Sequence, residues 1–346
     1  MPLRMPTSAR RSWRPVATVS LAIALLAPGP AAATAGEADG PLTVYSGRSE
    51  SLVGPILQRF TATTGIEVAT KYADTAELAA ILLEEGERSP ADVFLAQDAG
   101  ALGAVADAGL FASLGENTLD RVPPGFRDAG GRWVGLSGRA RTVAYSTATD
   151  LELPDSILGF TDPAWAGRIG WAPANGSFQA FVTAMRVLEG EQATRAWLEG
   201  ILANDPVAYP RNTAAVEGVA SGEVDVAFVN HYYLLRLIAE HGADYPVAQV
   251  FFDGGDPGSL INVAGVGQLI TSDQPAAAGA LVDFLLSDEA QRYFSESTYE
   301  YPLVEGVPSD PRLPDLASIE AAKVDLSELA DLQGTVELLR DVGAID

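Results

Sequence analysis

The 346-residue chain has no cysteine, which closes disulfides, thiolate metal sites and cysteine redox chemistry to it. Histidine is almost as scarce. His231 and His241 are the only two, with no His-x-x-x-His pair, so a histidine-built metal centre or histidine-activated nucleophile has little to draw on. A Gly-x-Ser-x-Gly elbow, a P-loop and a dinucleotide fingerprint are all missing, and nothing resembles a catalytic set, so the expectation is a protein that is not an enzyme. Lysine is reduced to Lys71 and Lys323. After the first 35 residues no hydrophobic run is long enough to span a bilayer, which argues against membrane insertion.

Acid fills the space that lysine leaves. The formal charge is −24, and near −28 once the four arginines of the first 35 residues are set aside. Such a surface repels nucleic acid and anionic lipid, so neither is expected as a partner. Residues 1–35 read as a signal peptide. Arg4, Arg10, Arg11 and Arg14 form the charged region, Val16 to Ala27 the apolar region, and Ala33-Thr34-Ala35 the cleavage site. Arg10-Arg11-Ser12-Trp13 loosely resembles a twin-arginine signal, but an ordinary secretory segment is the simpler reading. With no cysteine to carry a lipid, the expectation is a soluble periplasmic protein.

The rest of the chain alternates strand and helix. Leu42–Ser46 reads as a strand leading into a Gly-Arg-Ser turn, followed by a helix to Thr64 that ends at Gly65. Strands at 66–72 and 91–96 and helices at 75–86 and 99–108 continue a β-α-β-α-β pattern, which argues for a parallel sheet. Trp133–Ser146 is a long strand whose alternation puts Arg139, Arg141 and Tyr145 on one face. Further strands are expected at 168–172, 207–209, 223–229 and 261–270, and two polar helical stretches at the end of the chain. The class is α/β.

The most telling stretch is Asn230-His231-Tyr232-Tyr233, at the carboxyl end of the 223–229 strand, where ligands bind in open α/β sheets. Neighbouring residues of a strand face opposite ways, so both phenols reach one point only if the strand breaks into a helix there. Two phenol oxygens together suit a hard, highly charged cation that can displace their protons. Taken alone, such a pair is more often packing than a site. His231 reads as a hydrogen-bonding neighbour. Arg48-Ser49-Glu50-Ser51, Asn175-Gly176-Ser177 and Asn212-Thr213 open helices, where backbone N–H groups favour anions, although each is equally an ordinary cap.

Seven stretches in order then carry a resemblance: Val44–Arg48; Glu84–Gly86 with Ser89–Phe94; Leu136–Arg141; Gly167–Trp171; Gly222–Asp225; Asn230–Tyr233; and Glu300–Leu303. Along nearly its whole mature length the chain resembles the periplasmic ferric-iron-binding proteins that serve ABC importers. The resemblance implies the two-lobe type II periplasmic-binding fold, with hinge strands and an interlobe cleft. The lobes would be 41–138 plus 263–305 and 139–262 plus 306–346. It also implies a monomer that delivers Fe(III) to a permease and its ATPase, with Tyr232 and Tyr233 as phenolate ligands. One branch of the family adds a histidine and a carboxylate where this chain has Ser49 and Gln97, so that ligand set does not transfer. Resemblance to a second branch implies Tyr145 as a third phenolate, and Arg48, Arg141 and Arg139 around a carbonate or bicarbonate. Asn175, Gly176, Ser177, Asn212 and Asn230 would be further anion contacts, and Glu50 and Asp98 reserve metal ligands. The competing expectation is an organic solute in the same fold, such as a polyamine, thiamine or a phosphonate.

Overall fold

A computed structural model describes residues 40–346; the expected signal segment lies outside the described residues. The strands are β1 (Leu42–Ser46), β2 (Val68–Tyr72), β3 (Val93–Ala96), β4 (Val134–Ser146), β5 (Ile169–Trp171), β6 (Val207–Ala208), β7 (Val226–Asn230), β8 (Val247–Val250), β9 (Ile261–Gln268) and β10 (Tyr301–Pro302). The helices are α1 (Glu50–Thr64), α2 (Thr75–Glu85), α3 (Ala99–Asp107), α4 (Glu116–Leu119), α5 (Gly176–Leu188), α6 (Glu191–Ala203), α7 (Asn212–Ser221), α8 (His231–His241), α9 (Pro275–Leu285), α10 (Asp288–Ser297) and α11 (Leu332–Asp341).

The strands run in the order β2-β1-β3-β9-β4-β7-β5-β6, with β10 and β8 also paired to β4. As the alternation predicts, β1 lies parallel to both β2 and β3. The whole is mixed, however: β9 runs antiparallel to β3 and to β4. β4 is the seam. Its first half, through Ala140, pairs with β9, and from Arg141 onward it pairs with β7 and then β8. Two lobes result, each with its own core. Phe60, Phe94, Trp133 and Leu281 belong to the first, and Phe160, Trp171, Phe181 and Trp197 to the second.

Local chemistry explains the helix boundaries. Gly65 ends α1 in the left-handed conformation at φ 76°, its N–H closing on Thr61. Gly47 is required for packing, because a Cβ there would sit 2.0 Å from Thr75 Oγ1. That hydroxyl donates to Gly47 O and accepts from Gln97 N, tying the β1–α1 turn to the β3–α3 turn.

One expected helix does not form, and one strand was not expected. Of the two polar helices expected at the C-terminal end, only α11 forms. Pro308, Pro311 and Pro314 deny backbone donors to the stretch before it, which carries only 3-10 turns. Leu326 and Leu329 in the second of these turns pack into the first-lobe core. β8 went unread because four residues with one polar member carry too little period to notice.

Candidate functional site

The turns that follow the carboxyl ends of β1, β3, β5 and β7 carry the polar side chains of the site. Strand β7 stops at Asn230 and α8 begins at His231 without a loop. Tyr232 and Tyr233 therefore occupy the first turn of a helix, about 100° apart around its axis rather than on opposite faces. Their ring centroids are 4.2 Å apart at 30°. Tyr232 is fully buried and Tyr233 half-buried. Burial, with Tyr233 beside it, pushes the Tyr232 phenol well above its ordinary range. At neutral pH it holds its proton until a cation displaces it.

Three arginines, each no more than 2% exposed, lie beneath the pair. Arg48 donates to Glu300 at 2.6 Å and to Ser137 at 3.1 Å. Burial opposes charge on both Arg48 and Glu300, but their pairing outweighs it: Arg48 is raised and Glu300 is held below the ordinary carboxylate range. Arg139 donates to the Gln97 carbonyl and to Val263 O, while its Nε and Nη1 have no partner. Arg141 donates to Phe228 O at 2.8 Å and to Asn230 Oδ1 at 3.3 Å, with Nε unmatched. Its guanidinium lies over the rings of Phe178 and Phe181, and burial lowers its pKa to about 9, which still leaves it charged at neutral pH. The cluster thus has more positive charge than nearby carboxylate. Unmatched donors in such a place favour an anion.

The helix-start asparagines join this cluster. Asn175 caps α5, accepting from Ser177 N at 3.1 Å and Ser177 Oγ at 2.7 Å. Asn212 donates to Asn175 Oδ1 and to Ser177 Oγ, leaving its own buried Oδ1 unpartnered. Arg139, Arg141, Ser177, Phe181, Asn230, Leu260 and Asn262 line a slot of about 10 Å³ between the arginines and this cap. That is room for one water at most.

Several expected residues stand elsewhere. Tyr145 pairs with Val226 at the start of β7, whereas Arg141 pairs with Asn230 at its end. Four residues of strand, roughly 13 Å, separate the two levels. Tyr145 packs on the second-lobe core, and the structure does not bring it to the tyrosine pair. Alternation sets the face on which a strand residue lies and not its distance along the strand. Asp98 is the N-cap of α3, accepting from Ala101 N at 3.0 Å, and burial raises its pKa. It is occupied as a cap. Glu50 lines a surface groove with Tyr72, Gln58 and Thr61. Among the described residues, no group of three His, Cys, Asp or Glu could hold a metal ion.

Two contributors escaped the sequence. Gln97, expected only as a departure, donates from its amide to Tyr232 Oη at 3.4 Å. Glu300, quoted only within a matching stretch, is the counter-ion of Arg48. A carboxylate 252 residues away leaves no local pattern to read.

The family described as bacterial extracellular solute-binding protein matches residues 88–325. The chain is 36% identical over 332 residues to the major ferric iron-binding protein of Neisseria meningitidis serogroup A, covering 94% of this chain and 98% of that one. It is 34% identical over 317 residues to the Fe(3+)-binding periplasmic protein of Serratia marcescens, covering 90% and 93%. Iron-bound HitA from Pseudomonas aeruginosa has the same fold at a TM-score of 0.83 and 35% identity, over 88% of this chain and 99% of that one.

Proposed function

This chain belongs to the bacterial extracellular solute-binding proteins, and from that premise we propose that it captures ferric iron in the periplasm and delivers it to an ABC importer. It is a binding protein and not an enzyme. The observation that carries the reading is the pair of phenols in one helical turn above arginines whose charge is only partly matched. Fe(III) prefers hard anionic oxygen, and positive charge below the phenols eases loss of their protons.

Tyr232 and Tyr233 are the proposed ligands. A carbonate-type anion completes the metal's shell, held chiefly by Arg139, which has two unmatched nitrogens where Arg48, paired with Glu300, and Arg141 have one each. Arg141, Ser177 and Asn230 line that anion's seat, with Asn175, Gly176 and Asn212 at the adjoining cap, and the one-water slot there widens to admit it. One lobe comprises 41–138 plus 263–305 and the other 139–262 plus 306–346, except that the turn bearing Leu326 and Leu329 packs back on the first, and the two close about β4 over the cargo. Residues 1–35 export the chain, which works as a monomer and docks on a permease coupled to an ATPase. A polyamine or thiamine would meet the same arginines and be repelled.

The test is a visible absorption titration of the metal-free mature protein with Fe(III)-citrate, with and without bicarbonate. An iron–phenolate band that strengthens with bicarbonate supports the whole reading. A band indifferent to bicarbonate in both wild type and Arg139→Gln removes the anion. No band removes ferric iron.

A further inference from the structure

His231 is fully buried next to the tyrosines, and both of its ring nitrogens are used. The backbone N–H of Ala140 donates to Nδ1 at 3.1 Å, and Nε2 lies 2.8 Å from the carbonyl oxygen of Tyr299. Nδ1 also lies 3.4 Å from the Ala140 carbonyl oxygen, but the two shorter contacts are satisfied together by one tautomer. Nδ1 must offer a lone pair to the amide, so the proton sits on Nε2 and is donated to Tyr299. Below the ring is Tyr301 at 4.8 Å, and Tyr232 meets it edge-on at 5.8 Å.

The two partners sit where the backbone changes course. Ala140 is the residue at which β4 leaves β9, and it stands between Arg139 and Arg141. Tyr299 adopts a left-handed backbone at φ 59°, uncommon for a residue with a side chain, and the next residue is Glu300, the counter-ion of Arg48. One imidazole thus ties together the helix turn bearing both phenols, the peptide between two arginines, and the segment that neutralises the third.

We propose that His231 is a positioning residue for ferric capture: it contacts no metal, and through its two hydrogen bonds it sets the tyrosine turn against Arg139, Arg141 and the Arg48–Glu300 pair. The inference rests on the ferric reading of the site for its function, and on the contacts of His231 for its geometry. Groups that orient metal ligands typically contribute tenfold to a hundredfold in affinity.

The experiment compares wild type, His231→Leu and His231→Gln in the mature protein. Glutamine can present both a donor and an acceptor, whereas leucine fills space and presents neither. Ferric affinity is measured by competition with citrate, the phenolate band by visible absorption, and exchange of the Ala140 amide by NMR of the metal-free form. The Leu variant is expected to lose roughly tenfold or more in affinity, with a shifted band and faster Ala140 exchange. The Gln variant should recover most of the affinity, the wild-type band and the slow exchange. Equal affinity and band in Leu and wild type would overturn the proposal, as would a folded Gln variant with no band, which would make His231 a ligand. If the Leu variant fails to fold, the Gln variant still decides. If wild type itself shows no band, the ferric reading falls, and Ala140 exchange in the metal-free proteins still tests whether His231 holds the hinge peptide.

Discussion

Arg48 and Glu300 form an ion pair at 2.6 Å with side chains 1% and 0% exposed, joining the first turn of the described chain to a segment 252 residues away. Removing one partner strands a buried charge. Glu300→Gln is expected to cost about 3–5 kcal/mol in urea unfolding of the metal-free protein. Because Glu300 is held below the ordinary carboxylate value near 4.5, its contribution is complete above that pH and is lost as pH falls through the lowered value. In the variant, the steep loss of stability below about pH 4.5 should flatten.

A second acid window belongs to His231. Burial lowers its pKa from 6.5 to about 4, so the folded state keeps it neutral while the unfolded chain takes up a proton. Stability is therefore full above pH 6.5 and declines as pH falls towards 4, by about 3 kcal/mol in all. Urea midpoints of wild type against His231→Gln between pH 7 and 4 check this, since the Gln variant should lack that slope.

Tyr232→Phe and Tyr233→Phe should each weaken ferric binding by more than about 100-fold and diminish the visible band, since each removes a direct ligand rather than its support. Tyr145→Phe should leave both unchanged, because its ring belongs to the second-lobe core at the far end of β7. An equal loss in Tyr145→Phe would restore it as a third phenolate.

Since burial pushes the Tyr232 phenol well above its ordinary range, ferric loading must expel protons. Unbuffered titration should release protons as iron loads, and affinity should climb as pH rises. A pH-independent affinity between 6 and 8 would exclude phenolate ligation.

Gly47→Ala should be destabilising, because the added methyl falls 2.0 Å from Thr75 Oγ1 and 2.7 Å from the backbone Cα of Thr75. The expected cost is about 1–3 kcal/mol in thermal or urea unfolding, with a matching drop in ferric affinity as Arg48 shifts.

The sequence alone determined the elements and the chemistry they could carry. Alternation and caps marked β1 through β4 and α1 through α3 to within a residue or two, because hydrophobic period and Gly65 act locally. The absence of cysteine and the shortage of histidine left the adjacent tyrosines as the notable metal-suited group. Adjacency also carried a geometric demand, a strand breaking directly into a helix, which β7 and α8 meet. Only the tertiary structure decided which charges face each other. It committed Arg48 to Glu300, left Arg139 with open donors, made Asp98 a cap, and kept Tyr145 a strand's length from its supposed partners. The reason is physical: period and capping are set by neighbours within a few residues, whereas charge pairing depends on which distant segments a crossing strand such as β4 brings together, and a residue's face says nothing of its depth along the strand.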